Sequence, residues 1–247
     1  MKLVTVTWSY EDEPKVDNSF LVLSFLKNNN ISDIHNIHFN RNNYKDLESE
    51  FNEKFGNQYE FLLYRIFLLK DYLLKSDLEN IVFADTNDVV CLNSINNIVI
   101  DPNSVVFSSE RHRYPNEESI GNWSPTHLYP EYNKINELFL NGGLSYGTKE
   151  SFIKLFDICI NEIFPLEYKN FGGDQGVYTY FFINQNDGLI KIDETKYFLS
   201  TYLKSPNDFR KDDIGVYSLK TNSYPIFIHD NGWNYGSPKF INHFNLI

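Results

Sequence analysis

Cysteine, positive charge and long apolar runs are all scarce in this chain, and each scarcity removes a class of protein. The two cysteines, Cys91 and Cys159, lie beside apolar residues. They read as small buried hydrophobes rather than as a disulfide or a metal pair, which suits a reducing interior. Lys and Arg total 22 against 33 Asp and Glu, a formal net charge of -11. A protein that holds nucleic acid chiefly through phosphate contacts needs the opposite balance, so only a local basic patch stays open. No apolar run is long enough to span a membrane. The opening residues 1–8 are too short for a signal peptide before Glu11, Asp12 and Glu13 intervene. No membrane partner and a cytoplasmic location are therefore expected. Internal repeats and linkers rich in Gly, Pro or Ser are also lacking. The 247 residues, 42% hydrophobic, read as a single domain over 1–247 with a sizeable core.

What is present is an alternation of strand and helix patterns. Residues 3–7 predict a buried strand, 19–27 a helix, 34–39 a second strand, and the charged stretch 41–53 a partly helical surface. Between 59 and 74 apolar residues recur at Phe61, Leu62, Ile66, Leu69, Tyr72 and Leu73, which is helical spacing. A strand over 81–84 follows. Such alternation predicts an α/β fold with a mainly parallel sheet covered by helices on both faces. The strand runs into Asp85-Thr86-Asn87-Asp88, two carboxylates with two residues between them. Ligands of α/β sheets bind at the carboxyl ends of strands, and paired hard oxygens suit magnesium or manganese carrying a phosphate. As a bare motif a turn is an equally good reading, since Asp and Asn bend the chain readily.

Further along, 104–108 predicts a strand, and 110–130 a long aromatic, proline-punctuated loop of the kind that forms binding lids. Asn141-Gly142-Gly143 opens a short strand to Tyr146, and a helix from Thr148 to about Ile163 is ended by Pro165. In Gly172-Gly173-Asp174-Gln175 the glycines allow close approach to a ligand, and Asp174 opens an aromatic helix where free backbone donors and a carboxylate lie together. Asp174 is the expected catalytic carboxylate, hydrogen-bonding a substrate or taking a proton, although as a helix cap it would need no such role; Asp193 and Glu110 come next. Short strands over 190–192, 197–199 and 216–219 suggest a smaller mixed C-terminal part. The last strand ends in His229, an acceptable third ligand for a manganese-type ion beside Asp85 and Asp88.

Taken in order, Val4-Thr5-Val6-Thr7, Phe83-Ala84-Asp85-Thr86-Asn87-Asp88-Val89, Val105-Val106-Phe107-Ser108-Ser109-Glu110, Leu140-Asn141-Gly142-Gly143, Gly173-Asp174-Gln175 and Ile228-His229-Asp230-Asn231-Gly232 give the chain a family likeness. It resembles the glycosyltransferase domains of collagen lysyl hydroxylases and related procollagen glycosyltransferases, which have a GT-A (Rossmann-like) fold. The resemblance implies that Asp85, Asp88 and His229 hold Mn2+ (or Mg2+) on the diphosphate of a UDP-sugar. It also implies that Thr7 and Trp8 flank uracil and ribose, and that Arg65 reaches toward the donor from its helix. Asn141, Gly142, Gly143, Gln175, Asn231 and Gly232 are placed with the donor in the same way. The chain departs from the family at Arg111-His112-Arg113-Tyr114-Pro115, where a tryptophan-bearing loop is usual, and at Asp230, where glycine is usual.

The expectation is a metal-dependent hexosyltransferase that moves glucose or galactose from a UDP-sugar to a hydroxyl acceptor. No lysine hydroxylation is expected of this chain. Two rivals stand beside that reading. One is transfer to a hydroxylated base in DNA, with Arg111, His112 and Arg113 as a local phosphate site. The other is a nucleotide-sugar binding module without turnover, since fold alone does not fix function.

Overall fold

Strands buried on both faces must be sandwiched, and alternation of side chains along them decides which layer each residue enters. The protein is described by a computed structural model covering residues 1–8, 20–39, 44–55, 61–86, 89–113, 138–167, 173–184, 187–200, 206–229 and 243–245. In chain order the elements are β1 (Lys2–Trp8), α1 (Phe20–Phe25), β2 (Ile34–Phe39), α2 (Lys45–Phe55), α3 (Phe61–Lys75), β3 (Asn80–Ala84), β4 (Val89–Cys91), β5 (Val105–Arg113), β6 (Leu138–Thr148), α4 (Lys149–Ile158), α5 (Phe164–Glu167), α6 (Asp174–Asn184), β7 (Ile190–Ile192), β8 (Phe198–Ser200), β9 (Phe209–Lys211), β10 (Val216–Ser218) and β11 (Phe227–His229).

The central sheet runs β2-β1-β3-β6-β5-β7. Its neighbours are parallel except around β6, which is antiparallel to both β3 and β5. The mainly parallel α/β sheet expected from the sequence is thus present, with one reversed strand in its middle. Ile81 and Phe83 of β3 and Val105 and Phe107 of β5 enter the core under α2, α3, α4 and α6. Their neighbours Val82, Ala84 and Val106 enter the opposite core, with α1 and a second sheet. That second sheet, β4-β11-β8, is three-stranded. Its own alternation sends Cys91, Phe227 and Phe198 toward the central sheet and Val90, Ile228 and Leu199 into a third cluster against the β9–β10 hairpin. Among the described residues no helix is long and apolar enough to cross a membrane.

Several elements differ from the sequence pattern. The strand expected over 81–84 is β3, and the apolar residues after the carboxylate pair, for which no strand was expected, form β4 in a different sheet. The segment Asn141-Gly142-Gly143 lies inside an 11-residue strand instead of opening a short one. Its pairing with β5 jumps from Phe107↔Ser145 to Ser108↔Asn141, so the two glycines form an irregularity in mid-strand. The helix beginning at Lys149 does not stop at Pro165. A π-helical turn over Cys159–Ile163 lets the Phe164 N–H donate to the Cys159 carbonyl, and α5 restarts with Pro165 in its first turn, where a missing N–H costs nothing. The capped start was legible: the Thr148 hydroxyl accepts from the Ser151 N–H at 3.1 Å. Strand β9 carried no clear signal.

Asn93 ties the second sheet to the hairpin. Its amide donates to the carbonyls of Val216 at 2.8 Å and Pro225 at 2.6 Å, and its oxygen accepts from the Val216 N–H at 2.8 Å. Gly215 sits so close to that amide oxygen that no side chain fits there. Asn93→Ala leaves a buried N–H and two carbonyls unsatisfied and is expected to cost about 2–4 kcal/mol. Urea unfolding of the variant beside the parent measures this, and an unchanged midpoint would show that the three bonds are replaceable.

Candidate functional site

The site grows from one charged residue in an apolar helix. In Phe61-Leu62-Leu63-Tyr64-Arg65-Ile66-Phe67-Leu68-Leu69 only Arg65 carries charge, and it is 7% exposed. A guanidinium at that depth needs counter-charges. Its Nε and one terminal nitrogen donate to Asp174 Oδ2 at 2.8 and 2.5 Å, and its other terminal nitrogen donates to Asp85 Oδ1 at 2.6 Å. The ring of Phe83 lies 5.2 Å from the guanidinium carbon. Burial alone would pull the Arg65 pKa down, but Asp174 first and Asp85 next more than reverse this, so the net shift is upward and the group stays charged.

The second half of the site comes from β11. His229 shares the inward face of β11 with Phe227, and the strand lays it against the end of β3. The convergence is visible at Gly143. A Cβ built there would lie 2.9 Å from both Asp85 Oδ2 and His229 Nε2, and 2.5 Å from His229 Cε1. Two side chains from separate sheets therefore crowd one point, kept clear because residue 143 has no side chain. The Asp85 N–H donates to the Gly143 carbonyl at 2.9 Å, which fixes the carboxylate's root. Asn141 braces the irregular strand, its amide oxygen accepting from the Gly143 N–H at 2.9 Å. Gln175 closes the other side, its Oε1 accepting from the Gly142 N–H at 3.0 Å.

Arg65, Asp85, Asn141, Gly142, Gly143, Gln175 and His229 are thus brought together. Asp174 joins them in a different way from the one expected. It is 3% exposed, with Oδ2 taken by Arg65 and Oδ1 accepting from the Gln175 N–H at 2.9 Å, so a base at this position would first have to break charge-assisted bonds. Burial pushes its carboxyl above the usual range while Arg65 pulls it back. Arg65 likewise reaches carboxylates where contact with a donor was expected. Asp193 is also committed: Oδ1 accepts from the Thr195 N–H at 3.1 Å and hydroxyl at 2.5 Å, and Oδ2 from the Phe198 N–H at 2.7 Å. It shapes the turn from β7 to β8, and burial raises its pKa.

Thr7 and Trp8 end β1 and Glu110 lies in β5, with their side chains outside the description. Asp88, Asn231 and Gly232 lie outside the described residues, as does the proposed lid beyond residue 113. Among the described residues no three His, Cys, Asp or Glu side chains gather as a ready-made metal site. The donors of Asp85 and His229 beside one side-chain-free point nevertheless fit a small cation completed by a further ligand. The pairing of Arg65 with Asp174 and Asp85 was missed in the sequence. Its signal was there, a lone charge inside nine otherwise uncharged residues.

Residues 45–244 match the family described as the PLOD GT domain. Among solved structures the chain is similar to the galactosyltransferase LgtC in complex with donor and acceptor sugar analogs, with a TM-score of 0.54 at 12% identity, covering 98% of this chain and 94% of that one. It is also similar to an active-site glutamine-to-glutamate variant of LgtC, with a TM-score of 0.55 at 13% identity and the same coverage. These likenesses establish the GT-A fold. No curated protein matches the sequence.

Gly143→Ala tests the crowded point. The new methyl group must push His229 or Asp85 aside, and overpacking of this kind costs about 1–3 kcal/mol. Thermal unfolding reads the cost, and a variant as stable as the parent would mean that the two side chains move apart freely.

Proposed function

The chain belongs to the PLOD GT domain family and is a glycosyltransferase. On that premise we propose that it moves a hexose, glucose or galactose, from a UDP-sugar to a hydroxyl acceptor with a divalent cation, manganese or magnesium, as its helper. The observation that carries this reading is the meeting of Asp85 Oδ2 and His229 Nε2 over Gly143. They meet at the carboxyl end of β3, where α/β sheets bind their ligands. An oxygen and an imidazole nitrogen form a donor set that suits manganese, and Asp88 supplies the further carboxylate. A bound cation there offsets the negative charge that develops on a diphosphate leaving group.

The chain's own residues do the rest. Gly142 and Gly143 keep the floor of the site free of side chains so that a diphosphate can approach the backbone. Gln175 has its amide oxygen on the Gly142 N–H, which leaves the amide NH2 to donate to the sugar. Thr7 and Trp8, at the carboxyl end of β1, are assigned to uracil and ribose, and Asn231 and Gly232 to the donor. With Asp174 and Asp193 engaged elsewhere, Glu110 is the carboxylate assigned to the acceptor hydroxyl. The donor of LgtC, a galactosyltransferase, makes galactose the first sugar to test. The two buried free thiols suit a reducing, cytoplasmic setting.

Incubation with a panel of UDP-sugars and Mn2+ is expected to release UDP from one hexose donor, faster with a hydroxyl acceptor and not at all after chelation. Asp85→Ala, Asp88→Ala and His229→Ala are each expected to weaken UDP binding by at least about tenfold, the lower end of what even an indirect partner of a metal ligand costs. Calorimetry reads the affinities. UDP binding that ignores both chelation and all three substitutions would sink the site.

A further inference from the structure

We infer that Arg65 and Asp174 form a positioning pair that divides the two oxygens of Asp85, so that Oδ1 is held by the guanidinium and Oδ2 alone is offered to the cation. The inference rests on the reading that a divalent cation sits between Asp85 and His229. A guanidinium facing one carboxylate takes it with two parallel N–H donors, one to each oxygen. Here the paired donors, Nε and one terminal nitrogen, both converge on Asp174 Oδ2, and Asp85 receives a single nitrogen on Oδ1. Asp85 Oδ2 is left beside His229 Nε2 at the Gly143 gap.

Each part of this arrangement is fixed from another direction. The guanidinium carbon lies over the Phe83 ring. Asp174 is pinned through Oδ1 by the Gln175 N–H at 2.9 Å, at the start of α6. The backbone of Asp85 is pinned to Gly143. Asp174 therefore does more than neutralise a buried cation: it decides how much of Asp85 the cation can use. If Asp174 lost its charge, Asp85 would be the carboxylate left to Arg65 in this group. The guanidinium would then draw toward both Asp85 oxygens and compete with the metal for them.

Such competition has a signature that plain destabilisation lacks, because removing the competitor restores binding. Mn2+ alone is titrated into the full chain, and free Mn2+ is read by electron paramagnetic resonance. Asp174→Asn is expected to weaken Mn2+ binding by about tenfold or more, and the double variant Asp174→Asn with Arg65→Gln to recover to within about threefold of the parent, outer partners of metal ligands being worth 10–100-fold. A single variant that binds Mn2+ like the parent, or a double variant no better than the single, overturns the inference. A parent chain that binds no Mn2+ instead removes the cation from the proposed function. If Asp174→Asn fails to fold, the parent protein still decides the matter. Its Arg65 Nε–H nuclear magnetic resonance signal, bonded to Asp174, is expected to stay protected from hydrogen exchange when Mg2+ saturates the site, and loss of that protection on adding Mg2+ would show that the cation releases Arg65.

Discussion

A guanidinium buried beneath a sheet must find its counter-charges inside the protein, and the rest of this site is arranged around that requirement. Arg65 from α3 meets Asp174 at the start of α6 and Asp85 at the end of β3. Two consecutive elements, α3 and β3, are thereby held in register with α6, which lies far from both in sequence. An unpaired charge at such depth is costly, while a satisfied one is about neutral against apolar packing of the same volume, so the pairing adds little net stability but penalises any arrangement that breaks it. The price of misplacing any of the three elements is a stranded charge. That makes the surrounding geometry hard to vary.

The same economy of space appears at Gly143. Two independent sheets deliver Asp85 and His229 to one point, and they meet because the intervening strand carries no side chain there. Antiparallel β6 makes this possible. Running against β3 and β5, it brings its N-terminal half to the carboxyl end of β3, and its mid-strand irregularity turns the Gly142 and Gly143 amides toward Gln175 and Asn141. A regular, fully side-chained strand would fill the space that the site needs. The second sheet is in turn held by alternation: the residues of β11 that face the central sheet are Phe227 and His229, two apart.

Much of the architecture was legible along the chain. Helix α3 announced itself by apolar spacing, β2 by its β-branched and aromatic residues, and α4 by its threonine cap, because these signals are local: each depends on residues within a turn or two. The strand-end positions of Asp85 and His229 were legible for the same reason. The length of β6 was not, since paired glycines ordinarily mark a turn and pairing partners on both sides overrode that preference here. The continuation through Pro165 was hidden too, because a π-helical turn leaves no pattern in apolar spacing.

Residue order by itself determined the α/β class, the sites of the main elements and the residue types gathered at the strand ends. Those follow from periodicity and composition, which are properties of neighbours in the chain. Tertiary structure alone decided what the charges do. Asp174 and Asp193 read as available carboxylates, yet both are buried and bonded, and Arg65, expected to reach toward the donor, proved to be the partner of Asp174 and Asp85. Availability of a carboxylate is set by burial and by the donors that reach it. In this fold those donors include one from 109 positions away in the chain, a relation that no local pattern encodes.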